Sequence, residues 1–373
     1  VWEMSMLGRI LLAAALVATS LSAFARNNDL QVNLSLSDRS TVSTQDVMVD
    51  VVFTNTGSTP ISMVRWFVPD GELDGELFLL SRDGQAVPYV GPVIKRAQPA
   101  AQDMITLAPG ESISGSAEIS GLYDLSSSGV YSIRYGVAST QLFGASAPRA
   151  ASNLLRRELS QEIGETQELY SNEVSTWVEG RKNDLVEQGR MMRAGDSLSS
   201  TLAAVSFSGR CSATQQSTLQ SAHTAAKNMA NGSVTYLNGT PSATLRYTTW
   251  FGSYSTAGWN EVKGHYVNIK DALDNKSIVY DCSCKKSYYA YVYPTQPYKV
   301  YLCRAFWNAP LTGTDSKGGT IVHELSHFNV IAGTDDFAYG QTAAKQLALT
   351  NPAQARMNAD SHEYFAENTP AQP

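Results

Sequence analysis

Ahead of Cys211 the chain has no cysteine, no histidine and only two lysines, Lys95 and Lys182. Residues 27–147 hold no titratable cluster suited to chemistry, so their task is expected to be binding or inhibition rather than catalysis. Basic blocks are also missing. With 28 Lys plus Arg against 34 Asp plus Glu, a formal charge of −6 at pH 7, the composition argues against nucleic-acid binding through phosphate neutralisation. No apolar run beyond the first 25 residues could span a bilayer, so no stable membrane insertion is expected.

What is present is unevenly distributed. Residues 10–20, ILLAAALVATS, follow Arg9 and precede Ala23-Phe24-Ala25, the small-x-small pattern of a cleavage site. The run is shorter than the ~20 residues needed to cross a membrane and reads as a signal peptide over residues 1–25, implying a secreted, extracellular product. From 26 to 150, Val, Ser, Thr and Gly dominate. Residues 30–36 alternate strictly and 47–53 are apolar nearly throughout, with Asn, Gly and Pro turns between, which predicts a β-sandwich-like domain. Residues 151–208 gain Glu, Gln, Arg and Leu and read as a helical or flexible connector. From 209 to 373 come all four cysteines and all five histidines. There residues 212–230 predict a Ser-capped helix, and 245–252 and 287–293 predict strands, giving an α+β domain.

An even cysteine count in an exported chain implies two disulfides among Cys211, Cys282, Cys284 and Cys303. Cys282 and Cys284 are poorly placed to bridge each other and should reach different partners, which leaves the pairing open.

The strongest local signal is His323-Glu324-Leu325-Ser326-His327. Histidines four apart share one helical face and can converge on a single cation, while Glu324 can activate the attacking water. Gly318-Gly319-Thr320 reads as a turn and cap ahead of that helix. Zinc needs a third protein ligand and one open position. Gly333 could end the helix and return an aspartate, but spacing does not choose Asp335 over Asp336, and Glu363 or Glu367 could serve instead. His223, in a helix, and His265, beside a strand, read as structural or exposed; His362 lies in a polar cluster bordering the cleft.

His323-Glu324-Leu325-Ser326-His327 followed by Gly333-Thr334-Asp335-Asp336-Phe337-Ala338-Tyr339-Gly340 resembles the paired H-E-x-x-H and G-T-x-D-x-x-Y-G motifs of the aspzincins, the deuterolysin and peptidyl-Lys metalloendopeptidase group. The resemblance covers roughly residues 209–373. It implies a zincin-like catalytic domain with one Zn2+ held by His323, His327 and Asp336, Glu324 as general base, and Tyr339 as donor to the oxyanion. It further implies Cys211–Cys282 and Cys284–Cys303 pairing. Residues 357–365 resemble the specificity segment of the peptidyl-Lys branch, in which Asp360 and Glu363 would line a pocket for the lysine following the cleaved bond. The amino-terminal portion resembles propeptides of exported bacterial members, toxins among them. Protein or peptide substrates and an intramolecular propeptide are the implied partners, with Lys95 or Lys182 as a processing site or an inhibitory mimic. The competing expectation is a secreted, zinc-stabilised binding protein or adhesin without turnover.

Overall fold

The computed structural model describes residues 29–37, 40–144, 168–187 and 204–373. The expected leader and much of the expected connector lie outside them. A β-rich amino-terminal region precedes a helix-rich carboxyl-terminal region, and each surrounds its own apolar core.

In the first region Leu30–Leu36 buries every second side chain and pairs antiparallel with Met48–Asn55, which pairs on its other edge with Ser112–Glu118. The second sheet is built around Gly129–Ala138, flanked by Phe78–Arg82 and Val174–Val178. Alternation lets each sheet turn one apolar face inward, and Phe53 meets Tyr135 edge-on between the sheets at 5.2 Å. Residues 168–178 are therefore not connector: Glu168–Tyr170 and Val174–Val178 belong to this second sheet. Thr176 and Val178 face its core while Ser175 and Trp177 face out, a period of two inside a stretch whose overall polarity masks it.

The second region is led by Ala213–Leu237, whose Ser212 cap and Gln215 form a reciprocal capping box. Leu219, Ala222, Ala226, Ala230, Ser233 and Leu237 recur at helical spacing on its buried side. Residues 245–252 are not a strand. Leu245–Phe251 is helical because Thr244 caps it, Gly252 ends it at φ 78°, and Tyr247, Trp250 and Phe251 share a helical face despite their β-favouring side chains. His265 likewise lies within a helix, Thr256–Asn275, rather than beside a strand. The expected strand over 287–293 contracts to Ala290–Val292.

Lys317–His327 lies wholly buried against these helices. Its cap is Ser316, and Gly318 and Gly319 sit inside the helix instead of forming a turn. A Cβ on Gly318 would come within 2.9 Å of the Ala225 Cβ, so the glycine serves close helix packing.

A five-stranded sheet completes the region, in the order Val205–Ser208, Ile278–Asp281, Lys299–Leu302, Ala290–Val292, Val93–Lys95. The first three are parallel and the last two pairings antiparallel. Val205–Ser208 extends the carboxyl-terminal region back into the expected connector. The last strand comes from the amino-terminal region, more than half the chain away from its neighbour. Among the described residues no helix is long and apolar enough to cross a membrane.

Candidate active site

One turn of the buried helix Lys317–His327 brings the rings of His323 and His327 to 4.8 Å between centroids. The helix stops at Phe328, earlier than Gly333, and Gly333 takes φ 60° in the return that follows. That return is held by a backbone bridge to the next segment, Asp335 N–H donating to Met357 O at 2.8 Å and Ala359 N–H to Asp335 O at 3.0 Å. Asp335 turns its carboxylate onto the Asp336 N–H, at 2.8 Å. Asp336 points the other way, its Oδ1 lying 3.2 Å from His323 Nε2 and 3.6 Å from His327 Nε2.

Both imidazoles are oriented from behind. His327 Nδ1 lies 2.8 Å from Thr334 O, a carbonyl that can only accept, so this nitrogen carries the proton and Nε2 keeps its lone pair. Burial lowers the His327 pKa to about 4, keeping the ring neutral as a metal ligand must be. His323 Nδ1 lies 2.9 Å from Asp360 Oδ1 and 3.3 Å from Glu363 Oε2, the carboxylate backing that fixes metal-binding imidazoles.

The donors facing inward fit a cation. His323 Nε2, His327 Nε2, both Asp336 oxygens and both Glu324 oxygens are buried and make no hydrogen bond. Unsatisfied buried polar atoms are costly in a closed protein interior, and a divalent ion would satisfy together those of His323, His327 and Asp336, whose ligand atoms lie within 4.8 Å of one another. Two imidazoles with one carboxylate suit zinc. Burial pushes the Glu324 carboxyl well above its ordinary range.

Asp360 and Glu363, on the helix Ala359–Glu367, are fully buried beside this cluster and close on the Lys95 ammonium, at 3.3 and 2.5 Å. Burial opposes charge on Asp360, but Lys95, His323 and the Gly340 N–H, at 2.6 Å, hold its carboxyl below the usual range. The same carboxylates hold the Lys95 amine well above its ordinary value against the effect of burial. Asp315 stands 3.9 Å from the ammonium, a contributor that nothing in the local sequence signals. Lys182 is elsewhere, 77% exposed and paired with Asp184. Tyr339 donates to the Ile94 carbonyl at 3.3 Å.

Other candidates fall outside the cluster. Glu367 accepts from Ser316 N–H and Oγ at 2.8 Å, steadying the start of the histidine helix rather than meeting the inward-facing donors. His362 does not border the cleft: it is buried, 3.0 Å from His265 and 2.9 Å from Asn358 O. His223 meets the Tyr280 hydroxyl at 2.9 Å. The four cysteines form Cys211–Cys282 and Cys284–Cys303, with Cα separations of 5.2 and 4.8 Å.

A buried His323, His327 and Asp336 group able to hold one zinc, on and beside the helix that carries Glu324, together with the family match that follows, places the chain among the zinc-dependent metalloendopeptidases. Residues 236–367 match the family model described as lysine-specific metallo-endopeptidase. An extracellular protease from Aeromonas hydrophila is 48% identical over 88% of this chain and 90% of its own length. A peptidyl-Lys metalloendopeptidase from Armillaria mellea is 36% identical over 96% and 97%. Another, from Pleurotus ostreatus, is 52% identical over 43% of this chain and 96% of itself. The chain belongs to the aspzincin family of metalloendopeptidases.

Proposed function

We propose that this protein is a secreted endopeptidase that hydrolyses the peptide bond on the amino side of lysine and is made with a removable amino-terminal propeptide over the β-rich region. The observation that carries the reading is a pair of buried carboxylates, Asp360 and Glu363, closed around an ammonium beside the metal cluster. An isolated buried charge is expensive, so such a pocket favours a side chain that delivers one compact cation at the end of a long apolar stem. Arginine carries the same charge on a broader planar fork.

His323, His327 and Asp336 would hold the zinc, which when bound polarises the substrate carbonyl and acidifies water. Glu324 takes the proton of the attacking water and returns it to the leaving amine. The Tyr339 hydroxyl, already placed to donate to a peptide carbonyl, stabilises the oxyanion. Export is supported by the extracellular relative and by two disulfides, which persist in oxidising compartments. A removable propeptide is supported by the relative that aligns over nearly its whole length with less than half of this chain.

The test is mass-spectrometric identification of the products from a mixed peptide library. Cleavage before lysine is expected to dominate, and Glu363→Gln to weaken that preference with a smaller loss of zinc affinity than Asp360→Asn, since Glu363 lies farther from His323 Nδ1, at 3.3 Å. Asp360→Asn should weaken both, lowering zinc affinity about 10- to 100-fold, because Asp360 also orients His323. A library cut without regard to lysine would overturn the reading.

A further inference from the structure

Tyr339 stands between the metal-ligand segment and the helix Gly340–Thr350, in extended backbone with φ −105° and ψ 129°. The acceptor of its hydroxyl, Ile94 O, and the ring beside its own, Trp66 at 6.3 Å, both belong to the amino-terminal region. In the carboxyl-terminal region the backbone is held on both sides of the tyrosine, by two side chains from the start of the helix Ala359–Glu367. Ala338 N–H donates to Asn358 Oδ1 at 3.1 Å, and Gly340 N–H donates to Asp360 Oδ2 at 2.6 Å.

Asn358 is diverted from an ordinary task to make its half of this grip. It is the N-cap of Ala359–Glu367, where an asparagine oxygen commonly accepts from the first turn, yet its side chain makes no capping bond. Because Ala338 N–H can only donate, the atom facing it is the amide oxygen, and the amide nitrogen donates to Ser361 Oγ at 3.1 Å. Asn358 is fully buried, so losing its oxygen leaves Ala338 N–H a buried donor without an acceptor. The metal ligand Asp336 has a separate anchor. Its segment is fixed one residue earlier, where Asp335 N–H donates to Met357 O and Ala359 N–H to Asp335 O.

Resting on the reading of Tyr339 as oxyanion donor, we propose that Asn358 is a positioning residue for catalysis, holding Ala338 so that the Tyr339 hydroxyl is aimed at the developing charge. A donor of this kind acts only within hydrogen-bond reach of that charge, so a displacement of about 1 Å is felt in turnover rather than in substrate binding.

The test is a double-mutant cycle on the zinc-loaded enzyme, with a quenched fluorescent peptide that carries one lysine. Tyr339→Phe is expected to lower kcat about 100-fold. Asn358→Ala is expected to lower kcat about ten-fold with KM and zinc content unchanged, and to cost less than about two-fold when added to Tyr339→Phe, because the group it positions is already gone. Ser361→Ala, which frees the Asn358 amide and leaves the backbone bonds in place, is the second variant should Asn358→Ala not fold; it is expected to lower kcat about three-fold alone and not at all beside Tyr339→Phe. Equal fold losses in the two backgrounds, or a loss confined to KM or to zinc content, would overturn the positioning role while leaving Tyr339 as the donor. Near-normal turnover by Tyr339→Phe would instead remove the oxyanion reading, and the role of Asn358 with it.

Discussion

At the scale of single residues, Glu324 in its proposed role as general base separates binding from turnover. It sits between the two histidines in sequence yet makes no hydrogen bond to either, so Glu324→Ala leaves the inward-facing donors of His323, His327 and Asp336 in place. Stoichiometric zinc by metal analysis, with turnover lower by about 10²- to 10⁴-fold, is the expected outcome, and near-normal hydrolysis would contradict the base assignment. His362 makes a different prediction, about stability. Burial, with His265 beside it, lowers its pKa from 6.5 to about 3. Below pH 6.5 the unfolded chain therefore binds a proton that the folded chain refuses. The stabilisation is complete above pH 6.5 and falls as pH drops from there toward 3, by up to about 1.4 kcal/mol per pH unit. His362→Gln should flatten the fall in melting temperature between pH 7 and 5; parallel curves for the two proteins would contradict it.

At the scale of elements, the two disulfides do unequal work. Cys211–Cys282 ties the start of the helix Ala213–Leu237 to the end of the strand Ile278–Asp281 across a separation of 71 residues, and Cys284–Cys303 closes 19. The loops follow one another without nesting, so their chain-entropy contributions are separable. Loop-closure scaling makes the longer bridge worth about 1 kcal/mol more. Denaturant titration of the two paired Cys→Ala variants should rank them in that order; a larger loss from opening the shorter loop would place the difference in native packing instead. Elements are also where sequence reading failed most visibly. Leu245–Phe251 is rich in Thr, Tyr, Trp and Phe, residues favoured in strands, and only the core contacts of Tyr247, Trp250 and Phe251 decide for a helix. Residues 168–178 carry a two-residue period too short to stand out from a polar stretch, and become strands because Gly129–Ala138 offers an edge.

At the scale of the whole molecule, two cores that share no residue predict two cooperative units even though a strand crosses between them. Calorimetry of the intact, zinc-loaded chain is expected to resolve two transitions, and a chelator to lower only the one belonging to the carboxyl-terminal core, since ligand binding stabilises the unit that holds it. Zinc should restore both that transition and activity. A single transition that moves as a whole would mean that the crossing strand and its buried lysine couple the regions into one unit.

The sequence by itself determined the chemistry that depends on short separations. Histidines four apart on a helix with a glutamate between them can be read locally because helical geometry fixes where such side chains point, and the Asp336-to-Tyr339 segment was legible through its family pattern. Only the tertiary structure decided what depends on distant contacts: that Asp336 rather than Asp335 turns toward the histidines, that Asp360 serves both His323 and the acidic pocket, that Asp315 joins it, and that Lys95 rather than Lys182 fills it. Lys95 and Asp360 are 265 residues apart, and no local period or propensity encodes a pairing at that distance. It arises because an exposed strand edge and a buried pair of carboxylates each lack a partner until the chain folds back to supply both with one three-residue strand.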